Sequence, residues 1–142
     1  AMAQVAKSAM EARDLLFLRP DDSVVMNRDR VLANAKARAL EKAAGYAPPE
    51  PYELRLPGPT GKTALDLGVR DFVRKGVASP HDGIIAGELA FVLSGGDTDA
   101  LDTVSEDTVL QLERDAIVKL AHAGKTRDRV EHMLKTGKPL RN

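Results

Sequence analysis

Five prolines lie within twelve residues near the middle of the chain, and they constrain the fold more than any other feature. They are Pro48, Pro49, Pro51, Pro57 and Pro59. Proline lacks the backbone N–H that a helix interior or a central strand requires. The sequence therefore predicts a Pro-rich strap over residues 46–60 that lies between helices. Residues 52–56 form either an edge strand or a polyproline-like part of this strap, which we expect to pack against the helices.

Helix caps and apolar spacing predict six helices and no internal repeat. The predicted helices span residues 9 to about 17, 28–44, 61–75, 80–93, 105 to about 121, and 126 to about 136. Ser8 with Glu11 is the capping-box pattern that begins the first helix, and Ser79 caps the fourth. Residues 23–26 are the only apolar run short enough for a single strand. Gly45 is expected to end the second helix in the left-handed conformation.

A chain of 142 residues is long enough for one domain with a core of its own. We therefore expect residues 1–142 to form a single all-α segment interrupted by the strap. The chain has no cysteine, which excludes disulfides, thiolate zinc sites and cysteine nucleophiles. This composition fits a reducing compartment, and we expect a cytoplasmic protein.

Charge and aromatic content argue against two classes of partner. Lys and Arg number 21, as do Asp and Glu, so the formal net charge is zero. Nucleic-acid binders need surplus Lys and Arg for the phosphates and aromatic rings for the bases, and this chain has two Tyr and three Phe. The longest uncharged run lies between Glu88 and Asp97, far short of a membrane span. We expect neither nucleic-acid binding nor membrane insertion.

The first five residues, from Ala1 to Val5, contain neither a natural initiator nor a targeting peptide. They continue directly into the first predicted helix without a polar tail. We therefore expect the chain to be a part of a longer protein.

The segment P-G-P-T-G-K-T at residues 57–63 follows a possible strand and begins a helix, as a phosphate-binding P-loop does. The match is incomplete because Leu56 stands where that motif requires glycine. Two prolines also remove backbone N–H groups that would bind phosphate. An ordinary glycine-rich helix start explains the segment better, although any helix N-terminus attracts anions weakly.

Histidines, serines and carboxylates show no catalytic or metal-binding pattern. The histidines are His81, His122 and His132, and they form no i, i+4 pair and no H-E-x-x-H motif. His81 with Asp82 is better explained by a local contact with the helix dipole or with solvent. No serine lies in a G-x-S-x-G turn. The pairs Glu106–Asp107 and Glu113–Asp115 lie at the start or on the solvent face of one helix, so no catalytic residue and no metal site is predicted.

The fourth predicted helix is apolar on nearly every side between Gly83 and Leu93, where Glu88 is the only charge. A helix of this kind must be buried all round. We expect Leu65, Phe72 and Leu112 to cover one side. The other side then meets a second copy of the chain, in a homo-oligomer, or the missing half of a longer protein. The predicted interface residues are Ile84, Ile85, Leu89, Phe91 and Val92.

Residues 7–18 contain the pattern S-A-x-E-A-x-x-L, which ends at Leu15 and is followed by Leu16. This segment resembles the S-A-x-E-A-x-x-L-G segment of the enoyl-CoA hydratase (crotonase) superfamily, with Leu16 in place of the usual glycine. Further resembling segments are residues 19–22, 26–30, 54–59, 112–116 and 131–140. The last two resemble the final helices of the superfamily. The first three resemble the closing region of the bacterial multifunctional fatty-oxidation enzymes, in which a hydratase-like domain follows a 3-hydroxyacyl-CoA dehydrogenase.

The resemblance implies a parent enzyme that hydrates trans-2-enoyl-CoA and oxidises the (S)-3-hydroxyacyl-CoA product with NAD. It implies that the acid–base glutamates, the N–H pair that polarises the thioester carbonyl and the Gly-rich dinucleotide turn lie in earlier parts of the parent. No segment of this chain matches them, so no cofactor-binding residue is implied here. Thr136 stands where hydratases often carry a lysine near the CoA phosphates, and Lys135 or Lys138 is implied as a substitute.

Two hypotheses follow for the function. In the first, the chain is the helical, non-catalytic C-terminal portion of a β-oxidation enzyme, where it covers the acyl-CoA site and mediates subunit contacts. In the second, it is an independent helical interaction or oligomerisation module with no link to CoA. Both predict that the isolated chain is inactive.

Overall fold

The computed structural model describes residues 5–51 and 53–142, and it confirms the all-α prediction. Its helices are α1 (Ala9–Asp14), α2 (Val31–Ala43), α3 (Gly58–Arg74), α4 (Pro80–Leu93), α5 (Glu106–Ala121) and α6 (Gly124–Thr136). Its strands are β1 (Glu53–Leu54) and β2 (Val104–Ser105), which pair antiparallel. None of the helices in these ranges is both long enough and apolar enough to cross a membrane.

The chain divides into two compact units, Ala1–Pro49 and Glu50–Asn142. The division falls inside the predicted strap at residues 46–60. The helices α1 and α2 belong to the first unit, and α3 to α6 with both strands belong to the second. The expectation of a single helical segment over residues 1–142 stays a prediction. Residues 1–4, on which the expectation about the start of the chain partly rests, lie outside the described residues.

The first helix is shorter than predicted. Its start is confirmed, because the Ser8 hydroxyl accepts a hydrogen bond from the Glu11 N–H at 3.1 Å. Its end is set by Leu16, which has a φ of 61°. The Phe17 N–H donates to the Ala12 carbonyl at 2.8 Å, as in the Schellman ending of a helix. Leu16 therefore adopts the left-handed conformation at the position where the resemblance leads us to expect glycine.

The strand predicted at residues 23–26 is wrong. This stretch has no regular structure, and Val24 and Met26 are exposed. A strand needs a neighbouring strand to pair its N–H and C=O groups. Residues 5–49, the described part of the first unit, contain no other strand.

The second predicted helix begins three residues later than expected. A 3-10 turn at Arg28–Arg30 comes first, and the Asn27 side chain caps it by accepting from the Asp29 N–H at 2.9 Å. Gly45 has the predicted positive φ, 77°. The helix α2 has no buried residue.

Only the second part of the predicted strap is packed. Residues 46–51 are exposed, so the expectation that the whole strap packs against helices is wrong for this part. Three of these residues are prolines, whose missing N–H groups leave the backbone unable to pair with a strand. Leu54 and Leu56 are half-buried. The edge strand is confirmed for Glu53–Leu54, while Tyr52 lies outside the described residues.

The helix α3 begins at Gly58, before the predicted residue 61, because the chain turns sharply there. Gly58 has a φ of 57°, and its N–H donates to the Ser94 carbonyl at 2.8 Å. A Cβ atom on Gly58 would lie 2.0 Å from the carbonyl oxygen of Thr98. Glycine is therefore required where the start of α3 meets the end of α4.

The contact between α3 and α4 uses other residues than those predicted. A Cβ atom on Gly83 of α4 would lie 3.1 Å from Val73 Cγ2 and 4.0 Å from Val69 Cγ1. Leu65 and Phe72, which were expected to cover α4, are exposed instead. The reason is steric, because the absence of a side chain at Gly83 lets the two valines approach α4 closely.

The helix α4 has the predicted bounds and lies at the centre of the second unit. Ser79 caps it in a capping box with Asp82. Ala86, Ala90 and Val92 are buried. The helices α3 and α5 leave part of its apolar surface uncovered, with Ile84 and Leu89 exposed, as expected for a helix that this chain covers on one side only. What contacts the uncovered side stays a prediction.

The helices α5 and α6 complete the second unit. The Ser105 hydroxyl accepts from the Thr108 N–H at 3.2 Å, which confirms the predicted cap of α5. The helix α6 begins at Gly124 rather than at residue 126, and Gly137 ends it with a φ of 67°. The helix α5 contacts both α4 and α6.

Candidate functional site

A groove of about 840 Å³ opens between α3, α4 and α5, and we call it the charged groove. Its apolar lining consists mainly of Val69, Val73, Gly83, Ile84, Gly87 and Phe91. Its charged lining consists of Lys62, Asp66, Arg70, Arg74, Glu88 and Lys119. Four of these six groups are cationic and two are anionic, so the lining has a positive surplus although the whole chain is neutral.

Both carboxylates of the charged groove already have a cation beside them. Lys62 Nζ lies 2.6 Å from Asp66 Oδ2, one turn along α3. Lys119 Nζ lies 2.5 Å from Glu88 Oε1 and joins α5 to α4. Arg70 has no carboxylate within ion-pair distance in the part of the chain that the structure describes. The uncompensated positive charge of the groove is therefore centred on α3.

Two glycines of α4 line the charged groove, and they differ in what surrounds them. Gly83 is crowded by Val73, as described above. At Gly87, the nearest atom to an added Cβ would be Asp66 Oδ1 at 3.9 Å, an ordinary contact distance. Glycine inside a helix is less favourable than alanine by roughly 0.5–1 kcal/mol. Packing inside the chain explains glycine at position 83 but not at position 87.

A second cluster of polar side chains ties the start of α4 to α6, and Arg129 is its centre. The Arg129 guanidinium donates to Asp82 Oδ1 at 2.6 Å and to Ser79 Oγ at 3.1 Å. It also donates to Asn142 Oδ1 at 2.7 Å. The Asn142 side chain in turn donates to the Lys125 carbonyl at 3.2 Å. We call these five residues the Arg129 cluster.

The Arg129 cluster shifts the ionisation of Asp82. The hydrogen bond from the Arg129 guanidinium, with a further one from the Ser79 N–H, lowers the pKa of Asp82 from 3.8 to about 2. The carboxylate is therefore charged throughout the physiological range. Its role is to hold Arg129 and the start of α4, which is a structural role.

His81 is buried, with 2 % of its surface exposed, so the expected contact with solvent is wrong for His81, whereas Asp82 does make a local contact at the start of α4. Its Nε2 lies 2.9 Å from the Thr126 hydroxyl on α6. Burial lowers the pKa of His81, and the nearby cations Arg129 and Lys125 lower it further. The imidazole lies buried between α4 and α6, in surroundings that favour its neutral form.

An exposed apolar surface lies on the other side of α5, where α4, α5 and α6 border a cavity of about 680 Å³. We call it the apolar face. Its apolar residues are Ile85, Ile117, Leu120, Ala121, Val130 and Leu134. Ile117, Val130 and Leu134 are 58 %, 55 % and 82 % exposed. Contiguous apolar surface of this kind is typical of a face that contacts another protein surface.

The predicted interface residues of α4 do not share one surface. Ile84 lines the charged groove together with Phe91, whereas Ile85 lines the apolar face. Leu89 is exposed, and Val92 is buried inside the second unit. An interface that uses these five residues stays a prediction, and only Ile84 and Leu89 among them are exposed.

The two lysines proposed as CoA-phosphate contacts lie at the end of the second unit. Lys135 is on the last turn of α6 and pairs with Glu131. Lys138 follows the helix, and its N–H donates to the Thr136 hydroxyl at 3.1 Å. Both side chains are exposed, and a contact of either with CoA stays a prediction.

The remaining candidate residues have structural positions. Ser8, Ser79 and Ser105 are helix caps. Gly58 to Lys62 of the P-loop-like segment form the first turns of α3. Within residues 5–51 and 53–142, no group of three or more His, Asp and Glu side chains is arranged to hold a metal ion. Arg129 and Arg70 were not singled out from the sequence, because neither lies in a recognisable spacing pattern.

The comparisons with known proteins find one kind of enzyme that is similar in sequence to this chain. The chain is similar to a probable 3-hydroxyacyl-CoA dehydrogenase of Bacillus subtilis (strain 168). The two are 40 % identical over 143 residues, which cover 100 % of this chain and 18 % of that protein. No family model matches the chain, and no solved structure matches it.

The chain thus spans about a fifth of the length of the curated relative that it matches. The similarity supports the dehydrogenase part of the family resemblance. The hydratase-like domain is not supported by the name of that relative and stays a prediction.

Proposed function

We propose that the chain is the helical, non-catalytic C-terminal portion of a fatty-oxidation enzyme related to the 3-hydroxyacyl-CoA dehydrogenases. The observation that carries the proposal is the 40 % identity over the entire chain to a protein about five times longer. In this enzyme, NAD and the CoA thioester bind to other parts of the polypeptide. The portion described here covers the acyl-CoA site and supplies contacts between subunits.

The apolar face supports a role as a packed portion of a larger enzyme. Burial of a large aliphatic side chain contributes about 1.5–3 kcal/mol, so exposed Ile117, Val130 and Leu134 are unfavourable in a free-standing unit. We assign the apolar face to contact with the remainder of the same polypeptide. The length of the Bacillus relative beyond the matched region leaves ample chain to provide that surface.

The positions of the reactive side chains support a non-catalytic role. His81 is buried against Thr126, and Asp82 is held by Arg129. General acid–base catalysis requires a titratable group within reach of a bound substrate. These groups instead join α4 to α6 and are positioned to stabilise the second unit.

The test uses one substitution in two settings. Leu134→Asp is made both in this 142-residue chain and in the full-length product of its gene. We expect the isolated chain to change by less than about 0.5 kcal/mol, as exposed positions do. The full-length protein is expected to lose about 2–3 kcal/mol, because the charge is then buried in an apolar contact. Leu101→Asp is the matched control, since Leu101 is also highly exposed at 86 % but lies outside the apolar face.

The activity assay completes the test. Full-length protein is expected to reduce NAD with 3-hydroxybutyryl-CoA, while the 142-residue chain alone gives only background. Turnover by the isolated chain, or a full-length protein with no activity on any 3-hydroxyacyl-CoA, would contradict the proposal.

The second candidate function is an independent helical module that associates with itself. The exposure of Ile84 and Leu89 on α4 favours it. A dimer of the 142-residue chain in light scattering at roughly 100 µM, lost in Leu89→Arg, would support this function, and a monomer of 15.3 kDa would exclude it. The sequence upstream of the chain separates the two functions, because only the first requires a dehydrogenase there.

A further inference from the structure

The length of the charged groove suits a helical occupant. Its charged side on α3 extends from Lys62 to Arg74, which is about 18 Å at the rise of an α-helix. This equals about three turns of a second helix lying alongside. Val69, Val73 and Ile84 provide apolar contacts along the groove, and Ile84 is 55 % exposed.

The positive charge of the groove favours acidic side chains on the two flanks of the bound helix. Four cations and two anions line it, and both anions are already paired. Arg70 has no carboxylate partner in the described residues, and Arg74 is only loosely paired, at 3.5 Å from Asp71 Oδ1. A partner that carries carboxylates beside its apolar side chains would neutralise the surplus, whereas a basic partner would be repelled.

Gly87 leaves room for the partner to approach. It lines the groove in the middle of α4, and the chain itself does not crowd it, because the nearest atom to an added Cβ is 3.9 Å away. A glycine on a helix allows a neighbouring helix to lie close to its backbone. Gly87 is next to Glu88 in the sequence and nearest to Asp66 in space, and both of these carboxylates are already paired with lysines.

The geometry points to an acidic amphipathic helix of a partner protein as the occupant of the charged groove. Apolar residues of that helix at positions i, i+3 or i+4, and i+7 contact Val69, Val73, Ile84 and Phe91. Carboxylates on its flanks pair with Arg70 and Arg74. The proposal does not rest on the proposed function, because the charged groove and the apolar face have no lining residue in common.

The experiment measures binding of a designed peptide to the 142-residue chain by fluorescence anisotropy. The probe is a labelled 16-residue helical peptide with Leu on one face and Glu on both flanks. The control probe has the same Leu positions with Lys in place of Glu. We expect saturable binding of the acidic peptide at micromolar concentration, and at least tenfold weaker binding of the basic one. Raising the salt from about 50 to 200 mM is expected to weaken the acidic peptide several-fold.

Two pairs of variants locate the binding site. Arg70→Glu removes the unpaired cation, and Lys42→Glu on α2 is the charge-matched control. Gly87→Leu fills the groove, and Gly68→Leu is the control, because Gly68 also has open space but does not line the groove. We expect at least tenfold loss of affinity for Arg70→Glu and Gly87→Leu, less than twofold for both controls, and unchanged circular dichroism for all four.

Three kinds of result would overturn the proposal. The first is no saturable binding of the acidic peptide up to about 200 µM, a weak affinity even for a small contact. The second is equal binding of the two peptides, or binding that Arg70→Glu and Gly87→Leu leave unchanged. The third is saturable binding of laurate, but not of the peptide, which would make the groove a site for small anionic amphiphiles.

Discussion

The Arg129 guanidinium donates to the Asp82 carboxylate at 2.6 Å, although 47 residues separate the two in the sequence. The same carboxylate accepts from the Ser79 N–H at 2.8 Å. One side chain therefore both caps α4 and connects α4 to α6. Removal of Arg129 is expected to affect the stability of the second unit more than removal of an exposed ion pair.

Arg129→Met is expected to lower the free energy of unfolding by about 2 kcal/mol, because it leaves a half-buried carboxylate without its cation. Methionine keeps an unbranched stem of comparable length, so little packing is lost. Urea unfolding of the wild type, Arg129→Met, Asp82→Asn and the double variant gives the coupling energy of the pair. A coupling energy near zero would show that the contact does not contribute to stability.

The Asp82 pair also predicts how stability depends on pH in acid. The pKa of Asp82 is lowered to about 2 in the folded chain, from 3.8. Its contribution, about 2 kcal/mol, is therefore present above about pH 4 and is lost as the pH falls from there towards 2. We expect Asp82→Asn to reduce the slope of unfolding free energy against pH in this window. An unchanged slope would assign the acid sensitivity to other groups.

His81 predicts a second loss of stability on acidification, which begins at a higher pH than the loss due to Asp82. Burial and two neighbouring cations lower its pKa below 6.5 in the folded chain. As the pH falls, His81 is protonated in the unfolded chain at a higher pH than in the folded chain. The contribution of His81 to the free energy of unfolding is therefore fully present above about pH 6.5 and decreases as the pH is lowered below it. His81→Gln keeps a polar group near Thr126 and does not titrate. Urea unfolding at pH 7.5 and 5.5 should show a smaller difference for His81→Gln than for the wild type; equal differences would contradict the prediction.

Leu16→Gly is expected to stabilise the first unit by about 1 kcal/mol, because a left-handed conformation is unfavourable for a residue with a Cβ atom. Leu16 is 88 % exposed, so little packing is lost with its side chain. Amide hydrogen exchange at Phe17, whose N–H closes the helix end, measures the effect directly. Leu40→Gly, inside α2, is the control and should accelerate exchange in its own helix. Faster exchange at Phe17 in Leu16→Gly would show that the leucine side chain is needed.

Three glycines of α3 and α4 provide a matched set. Gly68→Ala is expected to stabilise the chain by about 1 kcal/mol, since nothing lies within 4 Å of the added methyl group. Gly87→Ala is expected to do the same. Gly83→Ala should gain less or lose stability, because its methyl group would lie 3.1 Å from Val73 Cγ2. Thermal unfolding measures the stability of the three variants. An equal gain in stability for Gly83→Ala would show that α3 can move away from the added methyl group without loss of stability.

Local features of the fold were predictable from the sequence. The caps at Ser8, Ser79 and Ser105 and the left-handed Gly45 depend on a few neighbouring residues, and the structure confirms them. The helix ends were less accurate where a tertiary contact sets them. The start of α3 at Gly58 depends on Ser94, which is 36 residues away along the chain.

The surfaces were harder to predict than the helices. The sequence led us to expect Leu65 and Phe72 of α3 against α4, but helical spacing alone does not determine which side of α3 packs there. That choice depends on the missing side chain at Gly83, a residue on the other helix. The contacts of Arg129 with Ser79 and Asp82 and the contact of His81 with Thr126 join residues 45 or more positions apart, so no local pattern indicates them.

The close approach of Gly58 to Ser94 and Thr98 has a consequence for the order of folding. The helices α3 and α4 are neighbours in sequence and are joined by a short connection, so their association costs little loop entropy. Once they pair, the ends of the segment from Gly58 to Ser94 lie side by side. The strands β1 and β2 are about 50 residues apart, and their pairing then costs little additional chain entropy. We expect a substitution at Gly58 to slow refolding of the second unit as well as to destabilise it.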